Sequence, residues 1–236
     1  MCYISEHNQM TKNERIKRNQ EKLTNDKLNK WNKWLDIIYR EIRSLVTFNR
    51  VFKDVINIIQ NNPKLNSQNI FYDYLFSSYA SLILSGIRRQ IKEDKDSISL
   101  LRFLNEIIES PQIISQEFFI NNYKNTGIEE ISAINDFNQF AGEIKSYVDN
   151  SKISNDVKLL MEKAKILELY ADKIIAHCDS SPPKNIPKFE EIDIFLMFLE
   201  DLLKKYFLLL RGTCIVKIEP TFQYDWKNIF NIPWIN

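Results

Sequence analysis

The residues best suited to chemistry form one short run, Asp172, Lys173, Ile174, Ile175, Ala176, His177, Cys178 and Asp179. It combines an imidazole that titrates near neutral pH with an amine and two carboxylates, at the edge of a polar loop from Asp179 to Pro183. Lys173 and His177 are four residues apart and therefore share a helix face. At such a site a histidine can take the proton from a ribose 2′-hydroxyl or protonate a leaving oxygen, while a cation stabilises charge developing on the transferring phosphoryl group. That mechanism requires no metal. Asp172 belongs to the same group, and Asp179 is placed to orient the imidazole and favour its protonated form. Plain structural roles fit the same residues. A cation near a helix C-terminus contributes about 0.3–1 kcal/mol, an aspartate suits the start of a turn, and Cys178 reads as a small buried hydrophobe.

Composition removes most competing chemistries. Two histidines and three cysteines, at positions 2, 7, 177, 178 and 214, cannot assemble a self-contained zinc site. Four glycines in 236 residues argue against a phosphate loop or dinucleotide fingerprint, which need glycine at several fixed positions. No metal or cofactor is expected. With 32 basic and 31 acidic side chains, the net charge of +1 excludes nucleic-acid binding through bulk charge, so any RNA contact must be local. The odd cysteine count points to a reducing compartment, the first residues lack the apolar stretch of a secretory signal, and the strongest apolar runs (192–199 and 206–210) are too short to cross a bilayer. A cytoplasmic protein without membrane association is the expectation.

These residues must be positioned by helices. Residues 1–27 are polar and read as an arm or a loosely packed helix. From Leu28, a stripe of Leu28, Trp31, Leu35, Ile38, Ile42, Leu45, Asn49, Phe52, Ile56 and Ile59 at spacings of three and four predicts a helix stopped by Pro63. A second helix over about 68–92 carries Phe71, Leu75, Ser78, Leu82 and Ser85 along one side, with Tyr74, Ile83 and Ile87 beside them, and ends in Arg88, Arg89 and Lys92. A third, over about 98–109, is capped by Asp96 or Ser97. Residues 97–150 read as a helical insertion. A fourth strong helix over about 155–178 carries Val157, Leu160, Ala164, Leu167, Ala171 and Ile174, and a broad apolar helix runs from Lys188 to Gly212. The last residues read as a short strand or extended strip followed by aromatic residues. The expected class is an all-α helical bundle with inserted helices and a short extended C-terminal segment. Leftover apolar width on the first or last helix, with Trp31 and Trp34, suggests a symmetric homodimer.

The segment YADKIIAHCDS resembles the signature region of the HEPN superfamily, and the order of segments is similar to its abortive-infection branch of phage-defence proteins. The likeness extends to Ile87, Arg88 and Arg89, to the Asp96–Leu100 helix start, and to Asp225, Trp226, Pro233 and Trp234, thus covering most of residues 28–236. It implies an all-helical, dimeric, metal-independent endoribonuclease of a toxin or defence system, with RNA as substrate and an antitoxin or defence-system protein as partner. In this branch the motif reads Arg-Asp-Lys-x-x-Ala-His; the matching positions are Ala171, Asp172, Lys173, Ala176 and His177, so the arginine is absent. Lys173 replaces it as a point charge but not as a planar donor fork. Arg88 and Arg89 are placed to restore positive charge from the second helix. Two functions follow: an endoribonuclease using His177 as acid or base, with Lys173, Arg88 and Arg89 on the phosphate, or an inactive HEPN-like module that binds RNA, a nucleotide or a protein.

Overall fold

A computed structural model describes residues 12–65, 67–124, 126–142, 146–176 and 186–232. Their fold is all-α, with no strand among the described residues and a single isolated bridge between Ser115 and Tyr147. The long helices are α1 (Lys12–Gln60), α2 (Ile70–Gln90), α6 (Asn150–Tyr170) and α7 (Phe189–Arg211); α3 (Leu100–Glu109), α4 (Gln116–Asn121) and α5 (Glu130–Ala141) lie between α2 and α6.

The stripe predicted on α1 forms the spine of the core: Trp31, Leu35, Ile38 and Ile42 have no exposed surface. The helix itself is 49 residues long and begins well before Leu28. The roughly four turns before Leu28, within the expected arm, are helical because Lys, Arg, Glu and Gln are strong helix formers and need no burial to continue the backbone pattern. Lys27 Nζ donates to Ser110 Oγ at 2.7 Å where the helix meets the bundle.

On α2 the helix buries Ile83 and Ile87, expected beside the main stripe, and not the stripe itself. Phe71, Tyr74 and Leu82 are exposed, whereas Tyr79, Ile83, Leu84, Gly86 and Ile87 are buried. The helix carries two competing apolar stripes, and Gly86 decides between them: a Cβ there would stand 2.3 Å from Leu45 Cδ2, so glycine lets α2 lie close against α1. The α2–α3 connection is fixed by direct polar contacts within the chain. Buried Gln90 accepts from the Leu100 amide at 3.3 Å, and Ser99, rather than Asp96 or Ser97, caps α3 by accepting from the Arg102 amide at 3.1 Å.

Within the predicted insertion, α3 packs into the core against α6 and α1, burying Leu100, Leu101, Phe103, Leu104 and Ile107. By contrast, α4 and α5 form a smaller aromatic cluster of Phe119, Tyr123, Phe137 and Phe140 beside the end of α7. Helix α6 starts earlier than expected because Asp149 caps it, accepting from the Ser151 amide at 2.8 Å. It gives way at Ala171 to a π-helical turn through Ala176. Gly212 ends α7 in the left-handed region at φ 59°, and Arg211 clamps that end to α1 through Asn32 and Asp36.

No strand forms over 212–225, where the chain is irregular with several bends, and a 3-10 turn at Trp226–Asn231 follows it. Ile218 is buried, and Lys227 pairs with Asp54 of α1 at 3.0 Å. Trp31 and Trp34 are both buried within the chain, so neither supplies the dimer surface suggested by the stripe. Among the described residues, no helix is long and apolar enough to cross a membrane.

Candidate functional site

Asp172 and Lys173 lie on the π-helical turn that continues α6, beside the last two turns of α2. The wider turn shifts the side-chain register relative to an α-helix, and Asp172 meets Arg88 there: Arg88 Nε donates to Asp172 Oδ1. Lys92, just past the end of α2, stands 3.5 Å from Asp172 Oδ2 and donates to Glu168 Oε1 at 2.8 Å. The cluster is partly open, with about a third of the Arg88 and Asp172 side chains exposed. Lys173 is half-buried at its edge.

Burial pushes the Asp172 carboxyl up, but the Arg88 hydrogen bond and the Lys92 and Arg88 charges outweigh it and hold the group below its ordinary range. The Lys92 amine is raised, first by its hydrogen bond to Glu168, against a smaller opposing effect of burial, with help from the Glu168 and Asp172 charges. Asp172 is therefore a fixed anion that orients cations, poorly suited to giving up or taking a proton near neutral pH.

Arg88 and Arg89 do not act together. Consecutive helical residues diverge by about 100°, and Arg89 turns to α1, where Nε and Nη2 reach Glu41 at 3.3 and 2.9 Å. Lys92, held by Glu168, takes the place Arg89 was expected to share. Their signal was present in spacing alone: Lys92 follows Arg88 by four residues, and Glu168 precedes Asp172 by four. Ala171 is 1% exposed and continues the buried row of Leu160, Ala164 and Leu167. A side chain at 171 points into the core, so this backbone does not present a phosphate-facing arginine from that position. His177, Cys178 and Asp179 lie outside the described residues.

Beside the turn, an apolar groove of about 390 Å³ runs between α2 and the start of α7, lined in part by Phe76, Leu84, Tyr170, Ile186 and Phe189. Tyr170 and Ile186 flank, in sequence, the stretch that contains His177. A second polar group joins three helices: Asn49 donates to Asp193 Oδ1 at 2.7 Å and accepts from the Tyr79 hydroxyl at 2.5 Å, while Lys53 donates to Asp193 Oδ2 at 2.8 Å. Burial first, then the Asp193 charge, raises the Tyr79 hydroxyl far above its ordinary value. This network fixes the register of α1, α2 and α7 within one chain, which accounts for Asn49 in an apolar stripe. Among the described residues, no group of three or more His, Cys, Asp and Glu side chains could hold a metal ion.

No protein-family model, curated protein or solved structure matches the chain.

Proposed function

We propose that the chain is a HEPN-like, metal-independent endoribonuclease in which Arg88 supplies, from α2, the phosphate-facing cation missing at position 171. The observation carrying this reading is the placement of Arg88 on Asp172, five residues before His177. A guanidinium has five donors and Asp172 is engaged through Nε, so the pair presents an oriented fork at the edge of the turn. In the reaction, His177 removes the 2′-hydroxyl proton, the 2′-oxygen bonds to phosphorus, and the P–O5′ bond breaks as the departing oxygen takes a proton. Arg88, Lys92 and Lys173 stabilise the charge on the phosphoryl oxygens. The rings of Tyr170 and Phe189 in the adjoining groove offer stacking surfaces to a neighbouring base. The same reading places the protein in the cytoplasm, within a toxin or phage-defence system, as a homodimer restrained by an antitoxin or another defence-system protein.

Buried Ala171 favours a second reading, an inactive HEPN-like module that binds RNA, a nucleotide or a protein through the same cations. Incubation with mixed RNA in chelator separates the two. The nuclease reading expects fragments ending in 2′,3′-cyclic phosphate and a loss of at least about 100-fold in rate for His177→Ala. Intact RNA, or cleavage equal in the His177→Ala variant, removes that reading.

A further inference from the structure

Helix α1 carries an excess of basic side chains, twelve Lys and Arg against six Asp and Glu. Residues 12–27 hold six Lys and Arg against three Asp and Glu, although the whole chain carries only +1. Arg15, Arg18, Lys22, Lys33, Arg40 and Arg43 are all exposed. Their separations of three, four, eleven, seven and three residues each return near the same side of a helix with about 3.6 residues per turn. At about 1.5 Å rise per residue, the row from Arg15 to Arg43 is about 42 Å long. Four carboxylates lie three or four residues from members of the row, Glu14, Glu21, Asp26 and Asp36; Glu21 stands 4.0 Å from Lys17 Nζ, and Asp36 is paired with Arg211 Nη1 at 2.8 Å. The opposite side of α1, from Leu28 to Leu45, is the core of the bundle, so the row faces away from it.

We infer that this outer face of α1 is a docking surface for the phosphate backbone of double-stranded RNA. A straight, rigid row of cations complements a straight, rigid polyanion, and its length is comparable to the roughly 16 base pairs spanned by domains that read RNA by shape. Between Arg15 and Lys33 this side offers cations, the amides of Asn19, Asn25 and Asn29, all exposed, and the carboxylates of Glu21 and Asp26, but no aromatic ring. It therefore has donors for phosphate oxygens and no platform for an unpaired base, which distinguishes it from a single-strand groove. The face is separate from the Arg88–Asp172 cluster, which lies between α2 and the turn after α6. The choice of RNA over DNA rests on the RNA-directed function proposed above, and the contacts themselves are independent of sequence.

The test is fluorescence anisotropy in chelator with three probes: a 20-base-pair RNA duplex, the DNA duplex of the same sequence, and single-stranded oligouridine. The full chain is compared with an Arg15→Gln, Arg18→Gln, Lys22→Gln triple variant, whose helix is retained because glutamine is a good helix former; circular dichroism verifies this. The parent is expected to prefer duplex RNA, and the triple variant to bind it at least about tenfold more weakly, with the slope of log Kd against log salt reduced by about 2–3. Equal affinity and slope in a folded triple variant overturn the docking surface, as does preference for oligouridine. Preference for duplex DNA overturns the assignment to RNA. Cleavage of single-stranded RNA by a parent that ignores the duplex removes this surface and leaves the nuclease reading standing. Duplex binding without cleavage of any RNA does the reverse.

Discussion

Helix α6 and its π-helical continuation carry two carboxylate clusters that share components and differ in surroundings. Near the first, Asp156 is buried and accepts from Lys205 Nζ at 2.6 Å and from the Tyr206 hydroxyl at 2.7 Å. At the second, Asp172 is about a third exposed and holds Arg88 and Lys92. Asp156 sits on a regular α-helix against the fully buried Tyr206, whose hydroxyl burial raises first, followed by the Asp156 charge and hydrogen bond. Asp172 sits where the helix widens, next to the run containing His177. The two pairs differ at the anion: the Asp156 side chain is 10% exposed and that of Asp172 34%, while their cations Lys205 and Arg88 are alike at 35% and 38%. A buried carboxylate bonded to a buried hydroxyl is costly to remove, whereas a pair open at both partners contributes little to folding and leaves its cation within reach of a ligand.

Removing each carboxylate separates the two roles. Asp156→Ala leaves the Tyr206 hydroxyl and Lys205 amine without their anion and is expected to cost about 2–4 kcal/mol, read from the midpoint of urea unfolding. A cost below about 0.5 kcal/mol would place both clusters in one energetic class. Asp172→Asn is expected to cost less than about 1 kcal/mol at neutral pH. Folding lowers the Asp172 pKa below its ordinary 3.8, so the stabilisation is present above that value and is lost as pH falls through the lower folded one. The variant and parent should therefore converge in stability in strong acid; a gap that stays constant down to pH 2 (about two units below an ordinary aspartate) would show that charge is not its source.

The parts of this architecture that were legible in the sequence are those with one dominant periodicity. The stripe on α1 identifies buried residues because one face dominates there, and the broad apolar character of 188–212 marks α7 as a core helix. On α2, Phe71 and Leu82 compete with Ile83 and Ile87, and only the close approach at Gly86 resolves them, a property of two helices and not of either one. The α6 cap was missed because Asp149 follows a stretch with no clear pattern, and the π-helical turn has no marker in residue type. At the candidate site, Asp172, Lys173 and Arg88 were identifiable by type and order. What spacing could not give was direction: Arg89 faces α1, Lys92 faces the site, and Ala171 points into the core.

The most direct test of the account is the single-turnover rate of RNA cleavage in chelator by Arg88→Gln relative to the parent protein. If Arg88 is the cation at the scissile phosphate, the rate falls by about 10²–10³, while thermal stability changes by less than about 1 kcal/mol because the pair with Asp172 is open to solvent. A rate within about twofold of the parent, less than about 0.5 kcal/mol of barrier, would contradict it.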